Sequence, residues 1–290
     1  MPSSRLSAVQ SWIDRTFIPE FDGDRGEFGA FEGGLLIVVA MGLTVAHFGG
    51  SETTFLELFG ESLAPGGRAE LARQTTDSAE LVHLLDHTDR WLATQHPDYQ
   101  LWGLFHWVGF CVLGFAILPA LYVRLCGRRI RDMHLGWGGL NTHWQIYAVL
   151  YCLIFSAVFG VSFLAEYQEI YPFYEHAGRS YYDFLAWELA YGIQFLVLEF
   201  LFRGVMLSGL RKWLGYGAIF VMIIPYCMIH FGKTGSESVG AIFAGIILGS
   251  LAMKYRSIWG GVLLHWAVAI TMDLFALWQK GHLPTDVWPP

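Results

Sequence analysis

Four ionisable side chains interrupt apolar runs in the second half of the chain: Glu199 and Arg203, then His230, then His265. A charge at the centre of a bilayer costs roughly 2.5–3.5 kcal/mol on insertion scales, so such residues face a protein interior or a wet cavity and carry chemistry or transport. A carboxylate, a guanidinium and two imidazoles are the groups needed to activate a water molecule, with one to take its proton and others to hold the charge that develops. Glu199 and Arg203 are four residues apart, stacked on one helix face at pairing distance. Glu188 precedes Glu199 by eleven residues, which is three turns along the same face, and Asp273 follows His265 by two turns.

The elements around these residues are apolar. Of 290 residues, 54% are hydrophobic and 15% are charged, against about 25% charged in soluble domains, which makes this an integral membrane protein whose first partner is the lipid bilayer. The formal net charge of −7 sits mainly in the polar segments between apolar runs, and no basic cluster with interleaved aromatics points to nucleic acid. Cys111, Cys126, Cys152 and Cys227 lie in or at the ends of apolar runs without CxxC spacing. They read as small hydrophobes, not as a disulfide framework or a zinc site.

A helix needs about 20 apolar residues to cross the hydrocarbon core. Seven stretches qualify: 33–49, 101–125, 144–165, 184–210, 214–231, 238–253 and 257–278. The expected fold is therefore all-α, a polytopic membrane helix bundle with about seven transmembrane helices plus interfacial helices. Residues 1–28 show no secretory signal and place Leu6, Val9, Trp12, Ile13 and Phe17 at helical spacing, as an amphipathic surface segment would. Residues 29–182 hold three spans with an extramembrane insertion at 50–100, residues 183–278 hold four, and 279–290 form a tail. Within the insertion, Ser78–Gln95 has Leu81, Leu84, Leu85, Trp91 and Leu92 in helical register. His83 and His87 lie one turn apart there, with no third ligand to favour a metal over a solvated face. The sixth span carries a small-residue stripe, Ala241, Gly245 and Gly249, which lets a neighbouring helix approach closely. Arranging the loops by Lys and Arg puts the N-terminus inside and the C-terminus outside, with eleven basic residues inside and six outside.

On these motifs the chain resembles the CAAX protease and bacteriocin-processing (CPBP, or abortive infection) family of intramembrane proteases, in a bacterial branch. That family carries EExxxR, FxxxH and HxxxN or HxxxD on successive core helices. Here Glu199-xxx-Arg203 matches the second glutamate and the arginine, Tyr226-xxx-His230 matches the second motif with Tyr for Phe, and His265 opens the third. The strings EFLFRG, IPYCMIHFGK and RSIWGGVLLHW belong to the same resemblance, which covers residues 183–278. It implies an intramembrane endopeptidase in a bacterial cytoplasmic membrane, cutting a membrane-anchored peptide or protein with water activated by glutamate and histidine. Glu199, His230, His265 and Arg203 would be the catalytic set, and Glu188, Glu237 and Tyr226 candidate substrate contacts.

Two positions depart from the family pattern: its first glutamate is Leu198 here, and its third-motif Asn or Asp is Ala269. A shift of one residue rotates a helical side chain by about 100°, so Glu199 does not simply replace the missing acid. Three accounts stay open. Glu199 is the base of a variant site, or Glu188 or Glu237 supplies the carboxylate, or the chain is an inactive relative acting as an immunity or scaffold protein. The cofactor is equally open between none and a divalent metal such as zinc on His230 and His265, since the chain lacks HExxH. Two rivals from other classes are a haem protein ligated through His106, His230 or His265 and a transporter, the latter without a visible inverted repeat. The aromatic loop 167–182 reads as a headgroup belt or a substrate guide.

Overall fold

The computed structural model describes residues 26–63 and 98–290, together with Trp12 and Thr16. Most of the amphipathic segment read over 1–28, and the interfacial helix read over Ser78–Gln95 with His83 and His87, lie outside the described residues. Within them the chain is helical and contains no strand; the nearest approach is a single bridge between Leu135 and Ser257. The helices are α1 (Ala30–Gly49), α2 (Glu52–Leu63), α3 (Tyr99–Leu125), α4 (Gly138–Val161), α5 (Ala165–Ile170), α6 (Tyr181–Leu214), α7 (Gly217–Met228), α8 (Gly235–Tyr255) and α9 (Trp259–Lys280).

Six of these helices are long and apolar enough to cross a membrane; α7 is not. Its twelve helical residues span about 18 Å, short of the ~30 Å hydrocarbon core. The apolar run 214–231 reads as a full span by composition, but backbone geometry shortens it at both ends. Gly215 takes φ +57, a left-handed conformation that closes α6, and residues 229–234 fold into turns. Even so, α7 runs antiparallel along α8. A Cβ on Gly245 would come within 2.8 Å of Ile223, and one on Gly249 within 3.3 Å of Ile219. The stripe Ala241–Gly245–Gly249 is thus the seat for α7, as its small residues suggest.

Contacts sort the connections into two ends. At one, Gly26 N–H donates to Lys212 O at 2.8 Å and Ile258 N–H to His134 O at 2.9 Å. At the other, Arg179 pairs with Asp98, Tyr171 O–H donates to Glu237 at 2.7 Å, and Lys280 Nζ donates to Tyr171 O at 2.8 Å. The chain therefore changes ends along α7 despite its short helix, and α1 begins at the end opposite to where α9 finishes.

The long helix α6 is the axis of the bundle. Its apolar window is 83% buried, against 11% for α4, whose Val149, Leu153 and Phe159 are exposed like Ile224 and Leu263 elsewhere; this outer surface faces lipid. Ser180 caps α6 by accepting from Asp183 N–H at 3.1 Å. At the far side of the bundle α1 and α3 meet through Gly42 and Gly114, where a Cβ on either would collide with the other's carbonyl. Gly42→Val should therefore cost about 1–3 kcal/mol through overpacking, seen as a lower melting temperature in detergent, while Ile37→Val on the exposed face leaves melting unchanged.

Candidate active site

Helices α6 and α9 lie antiparallel, and small residues let them close. A Cβ at Gly192 would fall 2.7 Å from the Trp266 ring, and one at Gly261 would collide with the Glu199 carboxylate. Trp266 Nε1–H donates to Glu188 O at 2.8 Å, and the rings of Phe195 and His265 stack with centroids 5.5 Å apart. This register sets Glu199 opposite His265 at one level and Glu188 opposite Asp273 at another.

At the first level, Glu199 and Arg203 are wholly buried. Glu199 Oε1 lies 3.1 Å from Arg203 Nη1 and 2.9 Å from His265 Nδ1. The other imidazole nitrogen, Nε2, is 2.9 Å from the Tyr226 hydroxyl. A carboxylate only accepts, so Nδ1 carries the proton and Nε2 accepts from the phenol. Tyr226 also offers its ring face to Arg203, with the guanidinium carbon 3.9 Å from the ring centroid. His230, one turn on and just past the end of α7, donates Nδ1–H to Tyr226 O at 2.8 Å, which leaves its Nε2 open. The His265 side chain keeps 19% of its surface exposed, against none for Glu199. The imidazole, not the acid, is the accessible group.

Arg203 sits in a π-helical segment of α6, Phe200–Met206, and its carbonyl accepts from His134 Nδ1–H at 2.7 Å. His134 belongs to the connection between α3 and α4, tucked against the bundle at φ +57 and pinned by the Trp259 indole, which donates to Leu135 O at 3.0 Å. Burial pushes the His134 imidazole down to about 4, so it is neutral near pH 7. No sequence signal marks His134, because its partner is a backbone carbonyl on another helix.

At the second level, Asp273 is fully buried and accepts from Trp187 Nε1–H at 2.9 Å and Phe173 N–H at 3.3 Å. Glu188, 2% exposed, turns its carboxyl toward Asp273, and neither of its oxygens meets a protein donor. Glu188 therefore does not join Glu199. Glu237 stands further out, bonded by Tyr171 and by Thr234 at 3.1 Å, with Lys233 3.9 Å away. Lys233 also donates to Tyr191 at 3.3 Å. The aromatic loop is divided: Tyr171 and Tyr174 are buried, which a headgroup belt does not predict, whereas Tyr181 and Tyr182 are exposed.

A zinc site with catalytic water takes three protein ligands. Among the described residues no three His, Cys, Asp or Glu side chains converge to hold a metal. Two imidazoles without a third ligand fall short of that donor set, so the residues present do not fit a metal on His230 and His265. His106 is bonded through Nε2 to Gly49 O at 2.8 Å and packed on Phe55 and Phe110, a core role that gives the haem reading no support.

The family model described as type II CAAX prenyl endopeptidase, Rce1-like, matches residues 180–271. These are the residues of α6 to α9 that carry the Glu199, His230 and His265 motifs. No curated protein and no solved structure matches the chain.

Two outcomes follow from the geometry. Arg203→Met leaves the Glu199 carboxylate buried without its cation and should cost about 3–5 kcal/mol; the double change with Glu199→Leu should recover much of that in a thermal melt. For His134 the folded imidazole protonates only near pH 4 while the unfolded one does so near 6.5. Protons then favour the unfolded chain as pH falls through that window. Wild-type stability should drop by about 3 kcal/mol between pH ~6.5 and ~4 relative to His134→Asn, which suits the positive φ and does not titrate.

Proposed function

From the match of residues 180–271 to the family model of Rce1-like type II CAAX prenyl endopeptidases, we propose that the chain hydrolyses a peptide bond in a membrane-anchored protein or peptide. The observation that carries this reading is the contact of His265 with Glu199 at 2.9 Å beside the buried Arg203.

The roles follow from position. Arg203 neutralises Glu199 and holds it still. Glu199 Oε1, 2.9 Å from His265 Nδ1, holds the imidazole with Nε2 toward the Tyr226 hydroxyl, the orienting part that a buried carboxylate plays in hydrolytic triads. Burial and the close wall at Gly261 suit Glu199 to this part better than to direct contact with water, which revises its expected role as base. His265 Nε2 takes a proton from water as the water oxygen bonds to the scissile carbonyl carbon and the π pair moves to the carbonyl oxygen. Collapse breaks the C–N bond, and the same nitrogen returns the proton to the departing amine. His230, with Nε2 open, lies one turn from Tyr226 and serves as a second polar contact for the substrate. Glu188 and Glu237 then belong to the outer wall of the cleft, where an extended substrate would lie.

The excess of Arg and Lys at the end that holds Arg124, Arg128, Arg129, Arg131, Arg211, Lys212, Lys254 and Arg256 supports a cytoplasmic position for it, with the N-terminus inside a bacterial cytoplasmic membrane. The cleft level of Lys233 and Glu237 then faces outward, which suits substrates such as C-terminal membrane tails.

The test compares membrane peptide tails by mass spectrometry in cells with wild type, His265→Gln, Glu199→Gln or no protein. Cleaved tails should fall about 10²–10⁴-fold in His265→Gln. Equal tails and equal phenotype in all variants at equal protein level would reject proteolysis in favour of the immunity or scaffold reading, which Leu198 and Ala269 keep alive. For topology, exposed free Cys126 at the basic end should react with a membrane-impermeant maleimide only after the cells are opened.

A further inference from the structure

Tyr226 touches His265, Arg203 and His230 at once. Its hydroxyl is 2.9 Å from His265 Nε2, its ring carries the Arg203 guanidinium at 3.9 Å, and its carbonyl accepts from His230 Nδ1–H at 2.8 Å. The side chain is 1% exposed, and Phe202 meets it edge-on with centroids 5.4 Å apart, so its orientation is held from several sides.

The phenol has one proton to donate, and at rest that proton goes to His265 Nε2. Nε2 has a single lone pair, so when a water engages it ahead of proton transfer the phenol must give up that bond, and the hydroxyl loses its partner. As the water proton then passes to Nε2, negative charge appears on the former carbonyl oxygen, which is bound to the carbon that the water oxygen attacks and so lies beside the same nitrogen. We infer that the Tyr226 hydroxyl turns from His265 Nε2 to this oxygen and is the hydrogen-bond donor that stabilises the tetrahedral oxyanion. The inference rests on the peptidase reading and adds the group that reading lacks.

The arrangement gives the donor two properties. It is preorganised, because the ring is wedged between Arg203 and Phe202 and only the O–H has to rotate. It also acts selectively, because the oxygen it turns to gains its full charge only as the oxyanion forms, so the bond is stronger in the transition state than before it, the condition under which an interaction raises kcat and not merely binding. The Arg203 charge over the ring polarises the O–H toward donation. The step balances: the proton of the phenol stays on its oxygen, the water proton sits on Nε2, and the C–N bond breaks as that proton passes to the amine.

The experiment uses full-length protein in proteoliposomes with a membrane-tethered peptide reporter, comparing wild type, His265→Gln and Tyr226→Phe. Tyr226→Phe keeps the ring and its contacts with Arg203 and Phe202, so melting should be unchanged. Its kcat should fall about 10²–10³-fold, the loss found when one oxyanion donor is removed, with KM within about twofold of wild type. Placing 3-fluorotyrosine at 226 restores a phenol and should recover kcat to within a few-fold, which a purely structural role would not require. A Tyr226→Phe protein with kcat near wild type, or one whose loss lies in KM or in melting, overturns the donor role while His265-dependent cleavage still upholds the peptidase. A wild type that cuts nothing in a His265-dependent way rejects the peptidase reading and this role with it.

Discussion

Burying a carboxylate and a guanidinium in a membrane bundle is costly, because each ion gives up hydration worth several kcal/mol. Glu199 and Arg203 sit four residues apart on α6 with none of either side chain exposed, so each makes the other's burial tolerable. The pair has a second consequence. A fully buried, charge-balanced carboxylate still has accepting capacity left over, and His265 from α9 uses it. The placement of the imidazole, of Tyr226 beyond it, and of His230 one turn further along all follow from where that carboxylate is held.

Holding it requires backbones to come closer than ordinary side chains allow. Gly261 admits the Glu199 carboxylate against α9, Gly192 admits Trp266 against α6, and Gly245 and Gly249 admit α7 against α8. Between helices in lipid no hydrophobic driving force remains, and close packing with internal hydrogen bonds supplies the association. The polar residues of the core therefore have two jobs, since the bonds that orient the site also tie α6, α7 and α9 together. His134 extends the same logic to a connection outside the core, bonding the Arg203 carbonyl from the α3–α4 loop.

Polar groups along the α6–α9 interface fall into two levels. The inner one is a charge-balanced relay of Arg203, Glu199, His265 and Tyr226. The outer one, with Glu188, Asp273, Lys233 and Glu237, is richer in acid and leaves the Glu188 oxygens without protein donors. Eleven residues of helix, about 16 Å, separate the acids of the two levels along α6. An extended peptide rises about 3.3 Å per residue, so on the proposed peptidase reading a substrate cut at the inner level would pass the outer one four or five residues away.

The sequence alone determined the helix class and the residues with an energetic reason to be inside. Apolar runs of span length have few other solutions in lipid, and an ionisable group within one must find a partner. It also disclosed the Glu199–Arg203 pairing, because i to i+4 neighbours are set by helix geometry. Only the tertiary structure decided which helix faces which. The length of α7 depended on the φ of Gly215 and the turns after Ile229, which composition does not encode. That Glu188 meets Asp273 and not Glu199, that His265 takes both Glu199 and Tyr226, and that His134 reaches Arg203 are matters of register between distant segments. Register is set by where glycines permit contact across helices, and no spacing along one helix can reveal it.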